Sequence, residues 1–268
     1  MMLDTTYYAK LWALSGIAKI EKQVYTCVSE HYGPCVLKQS GNPYECKALR
    51  EYSGTCFCEV YEADAAKGVM LLERIVPGTE LKDTPALDER LAIFCDVWQN
   101  LHAVPAGKAT YQTYMDWVSR ITAYMCGRDD HQALCEKMTK AEQICRELCA
   151  TYPGEMLLHG DLHHHNILLG KQGRWRIIDP KGVVGDPVFD IPRFILNEFD
   201  NEFGDTPDAA KLVYAIQRLS ESIRVPAGDL GRLLFVETCM GQCWTVEEGE
   251  APDIGEVNFA EKLMDELR

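Results

Sequence analysis

Hydrophobic and polar positions change their rhythm along this 268-residue chain. The opening MMLDTTYYAKLWALSGIAKIEK spaces its apolar residues as an amphipathic helix does. Residues 22–40, KQVYTCVSEHYGPCVLKQS, then predict two strands joined by a turn near His31–Pro34, with Lys38 among apolar neighbours in the second. GNPYECKALREYSG reads as a short helix, with Pro43 near its first turn and Gly54 beyond its end. TCFCEVYEA alternates like a strand, and KGVMLLERIV is an apolar strand closed by Pro77–Gly78. From Asp83 the period becomes helical: Leu87, Leu91, Phe94, Val97, Trp98 and Leu101 form one stripe, followed by helical stretches near 112–126 and 130–151. A hairpin (NILL, a GKQG turn, RWRIID) interrupts this pattern. The rest is helical, through PDAAKLVYAIQRLSESIR, GDLGRLLFVETCMGQCW and FAEKLMDEL. The expectation is an α+β chain with a β-rich N-terminal lobe (1–76) and a larger, mainly helical lobe (77–268), separated at the Val76–Lys82 turn.

Composition narrows the possibilities. At 47% hydrophobic residues the chain can build a core, which argues against disorder. A net charge of -14 argues against a nucleic-acid partner, since phosphate backbones attract basic surfaces. No run approaches the roughly 18 apolar residues of a membrane span and no secretory signal is visible, so a cytoplasmic protein is expected. Twelve cysteines are scattered without a CxxC pair, and the expectation is buried, reduced thiols.

The candidate chemistry lies between Leu157 and Pro187, LLHGDLHHHNILLGKQGRWRIIDPKGVVGDP. Folding the hairpin about Gly170–Gly173 brings Asn166, at the start of one strand, beside Asp179, at the end of the other, with Asp161 just upstream. A neutral amide oxygen and a carboxylate suit a hard cation such as Mg²⁺. A second carboxylate, Asp161, is left to orient or accept the proton of an attacking hydroxyl. His159 to Asn166 has the spacing H-x-D-x-x-x-x-N, and a metal-binding Asp ends the next strand, which is the division of labour of phosphoryl transfer. Upstream, a strand lysine (Lys38) and a helix glutamate (Glu45) stand in the order of the pair that holds ATP phosphates in kinases. His163, His164 and His165 are consecutive, so an extended chain sends neighbours to opposite sides and they do not share one zinc ion.

HGDLHHHNILL and WRIIDPKGVVGDPVFDIPRFILNEF resemble the aminoglycoside phosphotransferase superfamily, and within it the streptomycin 6-kinase/hydroxyurea kinase branch, whose pattern runs HGDLHHGN then IDPKG and GDP. VLK and LLERIVPGTEL resemble the same branch; beyond about residue 205 no motif matches. The resemblance implies a bilobal protein-kinase-like fold using ATP and Mg²⁺. It implies Asp161 as catalytic base, Asn166 and Asp179 on the metal, Lys38 at the α- and β-phosphates and Glu45 as its partner. Backbone groups around Glu73–Ile75 would meet adenine. His159 and Asp190 would support the catalytic loop, and Lys181 is either a γ-phosphate contact or a surface lysine.

In two places the chain departs from these patterns. His165 replaces the glycine the branch carries before the metal asparagine, so strain at a left-handed backbone position is expected. The turn VSEHYGP has one glycine, Gly33, in place of the G-x-G-x-x-G of protein kinases. The acceptor expected is a small molecule: an aminoglycoside-like antibiotic of the streptomycin or hydroxyurea type. A metabolite such as choline, homoserine or a sugar, or an inactive nucleotide-binding regulator, are the alternatives. Two acidic groups, Glu198, Asp200, Glu202, Asp205 and Glu247, Glu248, Glu250, Asp253, are candidate contacts for a cationic acceptor, with Trp244 as a sugar-stacking surface.

Overall fold

A computed structural model describes residues 3–107, 111–198 and 209–267. Packing divides the chain into two compact units, Met1–Asp83 with His165–Gly182, and Thr84–His164 with Val183–Arg268. The chain is α+β.

The first unit is built on a five-stranded antiparallel sheet in the order β1-β2-β3-β5-β4, from β1 (Leu14–Glu21), β2 (Val24–Ser29), β3 (Gly33–Gln39), β4 (Val60–Asp64) and β5 (Val69–Glu73). Alternation along β3 decides its chemistry. Cys35 and Leu37 point into an apolar cluster with Cys27, Val69, Leu71 and Tyr8, so Lys38 emerges on the other face. Tyr8 belongs to α1 (Thr5–Leu11), which covers that cluster. The single amphipathic helix expected at the N-terminus is therefore a short helix and a strand. Ala13 takes a left-handed conformation (φ 50°) and ends the helical run, and the residues beyond it pair with β2.

Helix α2 (Glu45–Glu51) buries Ala48 and Leu49, and Tyr52 after it stacks on Phe57 at 3.9 Å. The expected strand over TCFCEVYEA is regular only from Val60; its first part pairs with the hairpin instead. Cys58 N–H donates to Ile177 O, and Ile177 N–H to Cys56 O, each at 2.9 Å. The hairpin itself is β8 (Ile167–Leu169) and β9 (Trp175–Ile177), with β6 (Thr79–Glu80) along its outer edge. These ladders explain why residues 165–182 pack with the first unit although the sequence delivers them from the middle of the second.

The second unit is helical: α3 (Leu87–Leu101), α4 (Tyr114–Cys126), α5 (Gln132–Thr151), α6 (Ile191–Glu198), α7 (Ala209–Ile223), α8 (Ala227–Glu247) and α9 (Ile254–Glu266). Helix α8 is apolar on every side, burying Leu230, Leu234, Phe235, Val236, Cys239 and Met240, as a helix packed all round by others must be. A short ladder of β7 (Met156–Leu158) with β10 (Val183–Gly185) flanks the loop that carries Asp161. Among the described residues no helix is long and apolar enough to cross a membrane. Cys126 and Cys135 form a disulfide across the α4–α5 turn, which corrects the expectation of uniformly reduced thiols; the other ten cysteines are free. A separation of nine positions conceals in the sequence a pair that the helix reversal sets 5.3 Å apart at Cα.

Candidate active site

In the first unit Lys38 is the centre of a charge cluster. Its ammonium lies 2.8 Å from Glu45 Oε1 and also pairs with Asp179, whose other oxygen is 3.3 Å from Lys181 Nζ. Glu45, on the first turn of α2, is 2% exposed, so its charge cannot be left to water. Burial pushes the Glu45 carboxyl up, against the pull of Lys38. Burial also opposes ionisation of Asp179, yet Lys38 and Lys181 hold its carboxyl down at about 2. For Lys38 the cost of burial is outweighed by the two carboxylates, and its pKa is raised. Lys38 and Asp179 are thus held charged at neutral pH. Lys181 is turned toward Asp179, and its carbonyl accepts from Asn42 Nδ2 at 2.8 Å.

The hairpin sets the second element of this cluster. Ile167 pairs with Ile177, and Ile178 N–H donates to Asn166 O at 3.1 Å, so Asn166, just before β8, and Asp179, just after β9, lie at the same end of the hairpin. Asn166 is buried. Asp179 sits at φ 63°, a left-handed conformation uncommon for a residue other than glycine and concentrated at functional positions. His165 shows no such conformation. It lies in a right-handed 3-10 turn, His164–Asn166, and its ring nitrogen is 2.6 Å from Glu80, so the expected strain is absent there.

Glu73 ends β5, and its side chain is tied to the hairpin. It accepts from Arg176 Nη2 at 2.7 Å and from Glu59 N–H at 3.2 Å, tying the hairpin to the sheet. Arg176 is a residue the sequence reading passed over. An arginine in an otherwise apolar WRII strand was its only signal.

In the second unit Asp161 follows a turn whose backbone is gathered on a buried carboxylate. Asp190, 1% exposed, accepts the N–H of His159 at 2.8 Å and of Gly160 at 2.7 Å, and His102 Nε2 lies 2.9 Å from it. Two consecutive N–H groups reach one carboxylate because Gly160 adopts φ 78°, open to glycine without strain. His159 is wholly buried, and its Nδ1 accepts the Asp161 N–H at 3.1 Å. The Asp161 carboxylate has Arg193 Nε at 3.4 Å and His163 Nε2 at 3.6 Å. His164 is buried instead, stacked on Phe194 at 4.2 Å and 2.5 Å from Glu198. Burial pushes its pKa down, against the pull of Glu198. The three consecutive histidines therefore have three different carboxylate partners, and among the described residues no group of three His, Cys, Asp or Glu side chains is arranged to hold a metal.

The acidic residues considered for a cationic acceptor are differently employed. Glu198 is buried and gripped by Arg90, whose Nε is 3.0 Å from both carboxylate oxygens. Glu247 is paired with Arg120 at 2.7 Å, and Asp253 caps α9. Asp200, Glu202 and Asp205 lie outside the described residues. Trp244 carries the Arg193 guanidinium at 5.0 Å from its ring centroid and meets Trp117 edge-on.

Residues 27–249 match the family described as aminoglycoside/hydroxyurea antibiotic resistance kinase. The chain belongs to that family. It is similar to a hydroxyurea phosphotransferase of Kitasatospora aureofaciens, 30% identical over 227 residues that cover 81% of this chain and 63% of the relative. It is also similar to a streptomycin 6-kinase of Streptomyces griseus, 25% identical over 209 residues, covering 75% of this chain and 66% of the relative. The chain thus spans slightly under two thirds of the length of each. Among solved structures it resembles the choline kinase LicA from Streptococcus pneumoniae, also solved with AMP. The TM-score is 0.69 at 15% identity, covering 97% of both chains. That likeness is one of fold, and the fold of this antibiotic-resistance-kinase relative is protein-kinase-like.

Proposed function

We propose that this protein is an ATP- and Mg²⁺-dependent kinase that moves the γ-phosphoryl group of ATP to a hydroxyl of an aminoglycoside-like antibiotic of the streptomycin or hydroxyurea type. The observation that carries the reading is Lys38, ion-paired at once with the buried Glu45 and with Asp179. Such an arrangement holds a cation in place for phosphate oxygens while keeping it charged.

In this reading residues 1–76 serve the nucleotide and 77–268 supply the catalytic loop, the metal ligands and the acceptor site. Lys38 binds the α- and β-phosphates, and Glu45 keeps its ammonium from swinging away. The Glu73 N–H is taken up by Glu59 O at 2.8 Å, so the backbone groups left to hold adenine are the Glu73 carbonyl and those of Ile75. Asn166 and Asp179 fit Mg²⁺, because both are hard oxygen donors and Mg²⁺ takes one or two such side chains with phosphates completing its shell. When bound, the ion neutralises charge on the transferring phosphoryl group. Asp161 receives the proton as the acceptor oxygen bonds to the γ-phosphorus and the bond to ADP breaks. His159 and Asp190 support the Asp161 loop through the backbone bonds described above. A cytoplasmic setting supplies the ATP.

One observation favours a second reading of the acceptor. Glu198 and Glu247 are neutralised by arginines of the chain itself, which suits an acceptor of low positive charge: hydroxyurea, or a metabolite hydroxyl, over a polycation.

The test is mass spectrometry of the purified chain with Mg²⁺–ATP and a panel of streptomycin, other aminoglycosides, hydroxyurea, choline and homoserine. One acceptor gains a single phosphoryl group, and Asp161→Asn lowers that turnover by roughly 10²–10⁴-fold while Mg²⁺–ATP still binds. Full turnover by Asp161→Asn removes the base. ATP binding with no phosphoryl transfer or ATP hydrolysis turns the reading to a nucleotide-binding regulator.

A further inference from the structure

Helix α6 begins with IPRFILNE, in which Arg193 is the only cation among apolar residues, and α8 carries a lone acid, Glu237, in LLFVETCM. Arg193 lies in the stretch that carries the family resemblance but has no role assigned by it, and Glu237 lies outside that stretch. In the second unit they meet. Arg193 Nη2 is 2.5 Å from Glu237 Oε1, and its Nε is 3.4 Å from Asp161 Oδ1. The Glu237 side chain is 4% exposed and its other oxygen accepts from Tyr114 Oη at 2.8 Å. Trp244 lies against the guanidinium. The arginine is thus gripped through one nitrogen by a buried carboxylate, supported on an aromatic face, and set with its Nε at ion-pair distance, 3.4 Å, from Asp161 without a formed hydrogen bond.

A buried Glu237 needs a counter-charge, but it does not need one shared with Asp161; an arginine meeting Glu237 alone would satisfy it. The planar guanidinium places donors on two sides at fixed angles, which lets one side chain serve two carboxylates. Arg193 and His163 stand at the Asp161 carboxylate and His159 at its N–H; of these three Arg193 is the permanent charge.

We propose that Arg193 is a positioning residue for Asp161: held by Glu237, itself fixed by Tyr114, and supported on Trp244, it fixes the direction of the Asp161 carboxylate and its readiness to take a proton. Glu237 sets the strength of this effect from behind, because its negative charge draws on the same guanidinium. The proposal rests on Asp161 being the base, and the two ideas separate experimentally.

The decisive measurement needs no substrate. In the full chain labelled with ¹³C-aspartate, the Asp161 carboxyl signal, assigned by its loss in Asp161→Asn, is titrated with pH. Arg193→Gln raises the midpoint by about one unit or more, since an adjacent guanidinium favours the ionised form. Glu237→Gln moves it the opposite way, because a negative charge behind the arginine is removed. Arg193→Lys keeps the midpoint near that of the unaltered chain, yet lowers kcat by roughly 100-fold, with the KM for Mg²⁺–ATP unchanged. A single ammonium cannot face both carboxylates. Turnover is read as transfer to streptomycin and to hydroxyurea, with ATP hydrolysis as the acceptor-free reference.

Opposite midpoint shifts in the two glutamine variants are an outcome that loss of packing alone does not produce. Unmoved midpoints overturn the proposal even where Asp161→Asn is inactive. Shifted midpoints with an active Asp161→Asn leave the coupling standing and remove the base role beneath it. Should Arg193→Gln fail to fold, Glu237→Gln and Arg193→Lys decide the matter by the same readouts.

Discussion

Asp190 offers the most direct test of how the second unit shapes its loop. Its carboxylate is 1% exposed, accepts N–H groups from His159 and Gly160 at 2.8 and 2.7 Å, and has His102 at 2.9 Å. A hydrogen bond to a charged group is worth about 1.5–3 kcal/mol, and its removal strands the donor. Two backbone donors therefore put the loss in Asp190→Ala at about 3–6 kcal/mol, a large part of the roughly 5–15 kcal/mol that holds a typical domain folded. Asp190→Asn keeps one acceptor oxygen but turns an amide N–H₂ toward the second donor, so about half that loss is expected. Urea unfolding followed by circular dichroism, with the slope checked for constancy, gives both values. A loss below about 1 kcal/mol in Asp190→Ala would refute the reasoning, because two buried N–H groups would then have found other partners at no cost.

Two further outcomes follow from charges and cross-links already described. The Asp179 carboxyl is held at about 2, below its ordinary 3.8, so its ionised form stabilises the fold fully above pH 3.8. That contribution is lost as pH falls toward 2. In metal-free buffer it amounts to about 1–2 kcal/mol once partial exposure is allowed for, and Asp179→Asn should flatten acid unfolding across that interval. The Cys126–Cys135 disulfide closes a short loop, and its removal by reductant or by Cys126→Ser should cost about 2–3 kcal/mol. Calorimetry with and without reductant checks this, and a midpoint insensitive to reductant in the unaltered chain, but not in a verified oxidised sample, would show that the bond is not formed.

Much of this molecule is legible as a sequence because its main signals are local. The period of apolar residues marks α3 and α5, and turn residues mark the ends of β3, α2 and the hairpin, since backbone preference and one-sided burial act within a few residues. The juxtaposition of Asn166 and Asp179 is equally local, as a tight hairpin allows its strands only one register. Two distant residues, Lys38 and Glu45, could be named from order and motif, while their 2.8 Å contact depends on the sheet and on α2 packing beside it.

What the tertiary structure alone decided is where charge and conformation are shared between distant segments. Leu14–Glu21 became a strand because β2 offered a partner, overriding a helical spacing that looked sufficient by itself. The fates of His163, His164 and His165 were set by Asp161, Glu198 and Glu80, carboxylates that arrive from the loop itself, a later helix and an earlier strand. Arg193 and Glu237 stand 44 positions apart in the chain and meet only because α6 packs on α8. An ion pair in the interior takes its meaning from what else surrounds it, and no spacing rule records that; a hairpin or an amphipathic helix takes its meaning from its own neighbours, and the sequence carries it in full.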